Sequence, residues 1–164
     1  MLIDPTGTFV VDCPSCDNKD KTRLETFVQT ECEYFGGPSS PLKNKFVKIR
    51  DCINKKCTSK TVVQCKKDCK REECPDGKGG LTTIPVPNGS ESKGGGIVVC
   101  LNTQVQGNGP GWEGAVAIHE IAHDCRWEHG QGWNEETKKG IIPGDPGPDN
   151  QAGKTDTGHC HDVD

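Results

Sequence analysis

The most regular pattern of apolar residues in the chain lies between positions 115 and 125. These residues recur at spacings of three and four, which places them on one face of an α-helix. They are Ala115, Ile118, Ala122 and Cys125. A continuous apolar run at 97–101 precedes them and is typical of a buried β-strand, and a glycine-rich loop at 102–112 joins the two. The sequence therefore predicts a strand, a loop and a buried helix in that order.

Weaker patterns predict further elements in the first half of the chain. β-Branched and aromatic residues predict short strands at 8–12, 23–30 and 46–50. The segment TVVQCKKDCKREEC, at 61–74, is predicted to form a lysine-rich helix, because two of its cysteines are four residues apart and would share a face.

Composition divides the chain into three parts. Residues 1–76 are a cysteine-rich N-terminal portion, residues 77–96 a glycine- and proline-rich loop, and residues 97–164 a core with a loop-rich tail. Hydrophobic residues make up only 30% of the sequence and aromatic residues 5%, so the apolar core is thin. We expect the three tryptophans to supply much of its bulk and cross-links to support it.

The chain contains eleven cysteines, a density that indicates disulfide bonds formed in an oxidising compartment. The candidates for pairing are Cys13, Cys16, Cys32, Cys52, Cys57, Cys65, Cys69, Cys74, Cys100 and Cys125. The first eight lie within 1–76, where their even number permits four bridges inside that portion. The last two form a candidate pair between the predicted strand and the predicted helix. The rival interpretation is a structural zinc site with Cys13 and Cys16 as one knuckle, although the sequence has no second CxxC.

Charge and hydropathy exclude several classes of partner. The formal net charge of -4 gives no electrostatic case for binding nucleic acid or an anionic membrane. No apolar run approaches the roughly 20 residues that a membrane span needs. The start of the chain also lacks a charged region followed by an apolar one, so we expect no secretion signal of its own.

The predicted helix carries the pattern HExxH at 119–123. Residues four apart lie one turn above each other on a helix, so His119 and His123 can bind one Zn²⁺. Glu120 would take a proton from a metal-bound water and pass it to a leaving amine. The pattern therefore predicts a zinc metallopeptidase with Glu120 as its catalytic residue. The competing interpretation, an exposed helix with two surface histidines, conflicts with the apolar face of this segment.

A catalytic zinc site normally has three protein ligands and one open position. His129 is the nearest candidate for the third, because HEIAHDCRWEH resembles the metzincin pattern HExxHxxGxxH with Arg126 in place of the glycine. His129 can reach the metal only if the helix ends near Arg126 and the chain turns back, which glycine does easily through a positive φ. The chain has no methionine-containing turn downstream, since its one methionine is Met1.

Other side chains remain alternatives for the third ligand. They are Glu135, Glu136, Asp156, His159 and His161. The two glutamates would lie at the start of a short second helix and resemble a gluzincin pair, whereas the other three would fold back from the tail. Arg126 or a tail histidine is the candidate for stabilising an oxyanion.

Residues 96–129 resemble several zincins, among them the mitochondrial inner-membrane processing zincin and metallopeptidase domains at the ends of bacterial polymorphic toxins. The resemblance implies an α+β, zincin-like domain with a small twisted sheet, an HExxH active-site helix beneath it and a disulfide-rich N-terminal portion. Residues 97–164 would then be the zinc-peptidase core. It also implies that the edge of the strand at 97–101 pairs with an extended substrate backbone.

The turn sequence DPTG at 4–7 carries a second resemblance. It is similar to the DPxG junction that precedes the variable C-terminal effector domain of Rhs or YD-repeat polymorphic toxins. This implies a toxin domain that is secreted, or delivered into a target cell as part of a larger protein, with a protein or peptide substrate and a cognate immunity protein. The alternatives are a self-contained secreted peptidase and a non-catalytic, disulfide-rich binding module whose metal site is incidental or structural.

Overall fold

The computed structural model describes residues 9–12, 16–59, 61–67, 89–91, 97–101, 112–145 and 147–148. The predicted junction at 4–7 lies outside these ranges. So do several candidate cysteines and ligands, namely Cys13, Cys69, Cys74, Asp156, His159 and His161. The side chains of Cys65 and Cys100 are also outside the description, although both residues lie in strands.

The described part of the chain combines three α-helices with one sheet. In chain order the elements are β1 (Phe9–Asp12), α1 (Asn18–Gly36), a 3-10 helix (Asn44–Phe46), α2 (Val47–Thr58), β2 (Thr61–Lys67), β3 (Gly89–Glu91), β4 (Ile97–Leu101) and α3 (Trp112–Asp124). The strand order is β1–β2–β4–β3, with β3 antiparallel to β4 and the other two pairs parallel. Parallel neighbours need a crossover, which α1 and α2 provide between β1 and β2. This mixed architecture is consistent with the predicted α+β class.

Two of the predicted strands are helical. Residues 23–30 belong to α1, whose N-cap Asp17 accepts a hydrogen bond from the backbone nitrogen of Asp20 at 2.8 Å. Residues 47–50 belong to α2. The buried apolar residues of the two helices recur at helical spacing and are Leu24, Val28, Cys32, Phe35, Ile53 and Cys57. The strand predictions are wrong because β-propensity is local, whereas this period extends over several turns.

The lysine-rich helix predicted at 61–74 is wrong over Thr61–Lys67, which form β2. This strand lies between β1 and β4, and its Val63 is fully buried. Pairing on both sides outweighs a spacing of cysteines that fits a helix. The predictions of strands at 8–12 and 97–101 are confirmed by β1 and β4.

The prediction that the strand at 97–101 offers a free edge to a substrate backbone is wrong for its first three residues. β2 pairs with one side of β4, and β3 pairs with the other side at Ile97, Val98 and Val99. β3 comes from the segment at 77–96 that was predicted to be loop. A glycine-rich segment can still add a short strand when a neighbouring backbone offers hydrogen bonds.

The predicted helix at 115–125 is confirmed as α3, which packs against α1, β3 and β4. Ile118, Ile121 and Ala122 lie in the same buried core as residues of α1 and the sheet. The close approach of α3 to α1 depends on Gly114, since a Cβ there would lie 2.7 Å from the backbone of Phe27. None of the described helices has both the length and the apolar character to cross a membrane.

Two disulfide bonds connect the helices. Cys32 pairs with Cys57 and joins α1 to α2, and Cys52 pairs with Cys125 and joins α2 to the end of α3. The predicted Cys100–Cys125 pair is therefore wrong, as is the idea that Cys52 pairs within 1–76. The cause is the packing of α2 beside α3, which brings the Cα atoms of Cys52 and Cys125 to 5.8 Å although 73 positions separate them. Both bonds are compatible with an oxidising compartment.

Candidate metal centre

Helix α3 brings His119 and His123 together at its last two turns. Their Nε2 atoms are 2.9 Å apart, as the four-residue spacing predicts. His119 is buried and His123 is partly buried, so the pair does not belong to a solvated surface. The competing interpretation of two exposed histidines is wrong.

The chain reverses direction immediately after this pair. The backbone nitrogen of Arg126 donates to the carbonyl of His123 at 2.8 Å, and that of Trp127 donates to the carbonyl of Ala122 at 2.9 Å. These two bonds form a Schellman motif, whose first residue beyond the cap normally adopts the left-handed conformation. Arg126 does so, with φ of 67°. The predicted turn at Arg126 is confirmed, although an arginine occupies the place that glycine favours.

The reversal places His129 against the two helical histidines. Its Nε2 atom lies 3.2 Å from that of His119 and 3.0 Å from that of His123, and the side chain is only 5% exposed. The three imidazoles form the one group of His, Cys, Asp or Glu side chains in the described ranges whose geometry suits a metal ion. The prediction that His129 joins the pair is confirmed as a matter of geometry.

The alternative glutamates do not join this cluster. Glu135 and Glu136 are exposed, in a turn closed by an isolated bridge between Asn134 and Lys139, and the second helix predicted there is wrong. Glu135 instead accepts a hydrogen bond from Lys138 at 2.6 Å.

Backbone carbonyls orient the two helical histidines. The Nδ1 atom of His119 lies 2.6 Å from the carbonyl oxygen of Pro143, and that of His123 lies 2.7 Å from the carbonyl oxygen of Trp127. A carbonyl oxygen only accepts, so both Nδ1 atoms carry the proton and donate it. The lone pair of each neutral ring is then on Nε2, which is the atom that faces the cluster.

The spacing of these nitrogens fits a first-row metal ion. A tetrahedral ion with metal–nitrogen distances of roughly 2.0–2.1 Å would hold its ligand atoms roughly 3.3 Å apart. The three Nε2–Nε2 distances run from 2.9 to 3.2 Å. Imidazole nitrogen binds zinc, copper, iron and nickel, so the donor set is compatible with each of these metals without selecting one of them.

Glu120 directly follows His119 on α3 and is fully buried. A carboxylate in a low-dielectric interior retains its charge most readily when a cation is near. A metal ion held by His119 and its two partners would supply that charge. A buried glutamate directly after one of three converging histidines is therefore consistent with the donor set described above.

A further residue, Asp145, supports the site and was not predicted from the sequence. Its side chain is buried and accepts hydrogen bonds from the backbone nitrogens of Gly130 at 2.8 Å and Gly147 at 2.9 Å. It lies in a proline- and glycine-rich stretch that composition identifies only as loop. Aspartate often binds backbone N–H groups two residues on, as it does at Gly147, but nothing local indicates the contact with Gly130.

The tryptophans partly match their predicted role. Trp127 is 2% exposed, and its ring lies 5.2 Å from that of Phe46, so it belongs to the core. Trp133 is only partly buried, and the side chain of Trp112 lies outside the described residues. Trp127 also connects the core to the cluster, since its carbonyl is the acceptor for His123.

Comparison of the chain with protein-family models, with curated proteins and with solved structures gives no match. What the site can do therefore follows from its own residues and geometry.

Proposed function

We propose that this protein is a zinc-dependent metalloendopeptidase. The observation that supports it is the convergence of His119, His123 and His129, together with a buried Glu120 directly after His119 in the sequence. The three imidazoles would hold the ion, and a fourth position would remain for water or substrate, as catalytic zinc sites require. When bound, zinc lowers the pKa of water toward neutrality and polarises the carbonyl group under attack.

Glu120 would carry the proton transfers of the reaction. It accepts a proton from the water that attacks the carbonyl carbon, and it returns this proton to the amide nitrogen when the C–N bond breaks. The products are a carboxylic acid and an amine, so the atoms of water are fully accounted for. Burial assists this role, because a carboxyl group shielded from solvent water exchanges its proton with the reacting groups instead.

The fold supports a zincin-like arrangement. α3 lies against β3 and β4, as an active-site helix beneath a small sheet would. β3 is antiparallel to its neighbour and is the last strand on that side of the described sheet. The disulfide between Cys52 and Cys125 holds the end of α3, where the ligands lie.

The biological role we propose is that of a toxin or effector domain. The DPTG sequence at 4–7 and its resemblance to the junction in Rhs-type toxins motivate this proposal. Two disulfide bonds are compatible with secretion, or with passage through an oxidising compartment before delivery. The substrate would be a protein of the target cell, and the partner in the producing cell a cognate immunity protein.

The test is zinc content by mass spectrometry together with cleavage of an unstructured protein substrate. Glu120→Gln should retain about the wild-type zinc content and lose on the order of 10²–10⁴-fold in cleavage rate, because a general base contributes that much. Glu128→Gln is the matched control, since Glu128 is exposed and precedes His129 directly. It should retain both zinc and activity.

Other results would redirect the interpretation. Cleavage by Glu120→Gln at the wild-type rate would refute the assigned role of this residue. Zinc retained by a wild-type protein that cleaves no substrate would favour a disulfide-rich binding module with a structural metal. Failure of the wild type to retain any metal under non-chelating conditions would refute the metal site itself.

A further inference from the structure

The loop at 142–145 contacts one candidate ligand directly and the residues beside another. The carbonyl of Pro143 accepts the hydrogen bond from His119. Two residues later, the Asp145 carboxylate accepts from the backbone nitrogen of Gly130, the residue that directly follows His129. A single short loop therefore contacts a helical ligand and the residue that follows the non-helical one.

The Asp145 carboxylate also contacts the chain on the N-terminal side of His129. Its Oδ2 atom accepts a hydrogen bond from the indole Nε1 of Trp127 at 3.4 Å. Trp127 in turn offers its carbonyl to His123. Asp145 thus binds the chain both before and after His129, at Trp127 and Gly130.

The backbone at Gly130 is sterically constrained where it contacts Asp145. Gly130 has φ of 85°, and a Cβ at this position would lie 2.6 Å from the backbone of Pro148. Asp145 is 7% exposed, and its carboxylate accepts hydrogen bonds from three N–H donors. Hydrogen bonds to a charged acceptor are stronger than those between neutral groups. The segment that carries His129 lies outside the helix, so these bonds replace the support that α3 gives to His119 and His123.

We infer that Asp145 is a positioning residue that fixes His129 for metal binding. It does not itself touch the metal cluster, and its effect passes through the backbone at Gly130 and the indole of Trp127. The inference rests on the metal-binding part of the proposed function and is independent of peptide cleavage. Loss of a group that orients a ligand typically weakens metal affinity by 10–100-fold.

The experiment measures Zn²⁺ affinity by competition with a chromophoric chelator, and the visible absorption spectrum of the Co²⁺-loaded protein. The variants are Asp145→Asn and Asp145→Ala, with His129→Ala as the reference for a site that lacks its third ligand. Asp145→Ala should bind zinc about 10–100-fold more weakly than the wild type. Asp145→Asn should lose less affinity, because its amide oxygen can still accept from Gly130 and Gly147 while its amide nitrogen cannot accept from Trp127. The Co²⁺ spectra of both variants should shift toward that of His129→Ala, because the coordination around cobalt changes.

Asp20→Asn is the matched control for removing a buried carboxylate. Asp20 is 8% exposed and forms an ion pair with Arg23 at 3.3 Å, on α1. It should lower the stability of the metal-free protein and leave zinc affinity and the Co²⁺ spectrum unchanged. Unfolding of each metal-free variant in urea separates the two effects.

Wild-type affinity and an unchanged Co²⁺ spectrum in both Asp145 variants would overturn the inference, whatever their stability. A wild type that binds neither cobalt nor zinc would overturn it together with the proposed function. A wild type that binds zinc without cleaving any protein, and whose Asp145 variants lose affinity, would leave the inference standing and refute the peptidase proposal alone.

Discussion

Replacing Arg126 with glycine should stabilise this protein, although the residue is exposed and lies outside the core. Arg126 has φ of 67° at the end of α3. The left-handed conformation costs a residue with a Cβ about 1–2 kcal/mol relative to the right-handed one. Glycine avoids that cost but loses about 0.5–1 kcal/mol more chain entropy on folding. The difference predicts a gain of about 0.5–1 kcal/mol for Arg126→Gly.

The assay is urea unfolding of the metal-free protein with its disulfides intact. Each kcal/mol corresponds to about 2–4 °C in Tm for a chain of this size, so thermal unfolding should show a rise of about 1–4 °C. Arg126→Ala is the control, because alanine removes the side chain and its charge but retains the Cβ that causes the strain. It should unfold at nearly the wild-type urea concentration.

The comparison of the two variants decides whether backbone conformation is the cause. A protein with Arg126→Gly that is no more stable than one with Arg126→Ala would refute the strain argument. Equal gains in both variants would instead attribute the effect to removal of the arginine side chain beyond its Cβ, although loss of its charge near the C-terminal end of α3 would by itself lower stability.

Two further perturbations have defined outcomes. Removing the Cys52–Cys125 disulfide should cost about 4.4 kcal/mol by loop entropy and also weaken Zn²⁺ affinity. Removing the Cys32–Cys57 disulfide should cost about 3.5 kcal/mol and leave Zn²⁺ affinity unchanged. Urea unfolding measures the stability of each variant, and chelator competition measures its Zn²⁺ affinity. Equal effects of the two removals on affinity would contradict a special role for the Cys52–Cys125 bond. Burial raises the pKa of the Glu31 carboxyl above its ordinary value of 4.5, so protonation of this group stabilises the folded state at low pH. This contribution to the free energy of unfolding is lost as the pH rises through the pKa of the folded state. Glu31→Gln should therefore be more stable than wild type at pH 7 but not at pH 4. A stability difference between variant and wild type that is the same at both pH values would refute this prediction.

The candidate metal ligands were largely predictable because helical spacing is a local property. His119 and His123 are four residues apart, and any helix through them brings the rings together. His129 was predictable only conditionally, since six residues further along a straight helix it would point elsewhere. The turn at Arg126 satisfies that condition, although the residue itself argues against it.

The N-terminal elements were harder to predict. Residues 23–30 have β-forming side chains and are helical, whereas the segment at 61–74 has two cysteines at helical spacing, Cys65 and Cys69, and its residues 61–67 form β2. In both segments, burial against neighbouring elements outweighs local preference. Val63, for example, is buried in a strand with partners on both sides.

The sequence by itself determined the HExxH pair, the buried strand before it and the need for a reversal before His129. Only the tertiary structure decided that Cys125 pairs with Cys52 and that Asp145 binds the segment around His129. The physical reason is the range of the interactions. Periodicity and turn geometry act between residues within a few positions, whereas these contacts join distant segments whose approach depends on how α2, α3 and the last loop pack. The acceptor for His119 is a backbone carbonyl, a group that every residue has, so no sequence pattern can identify it.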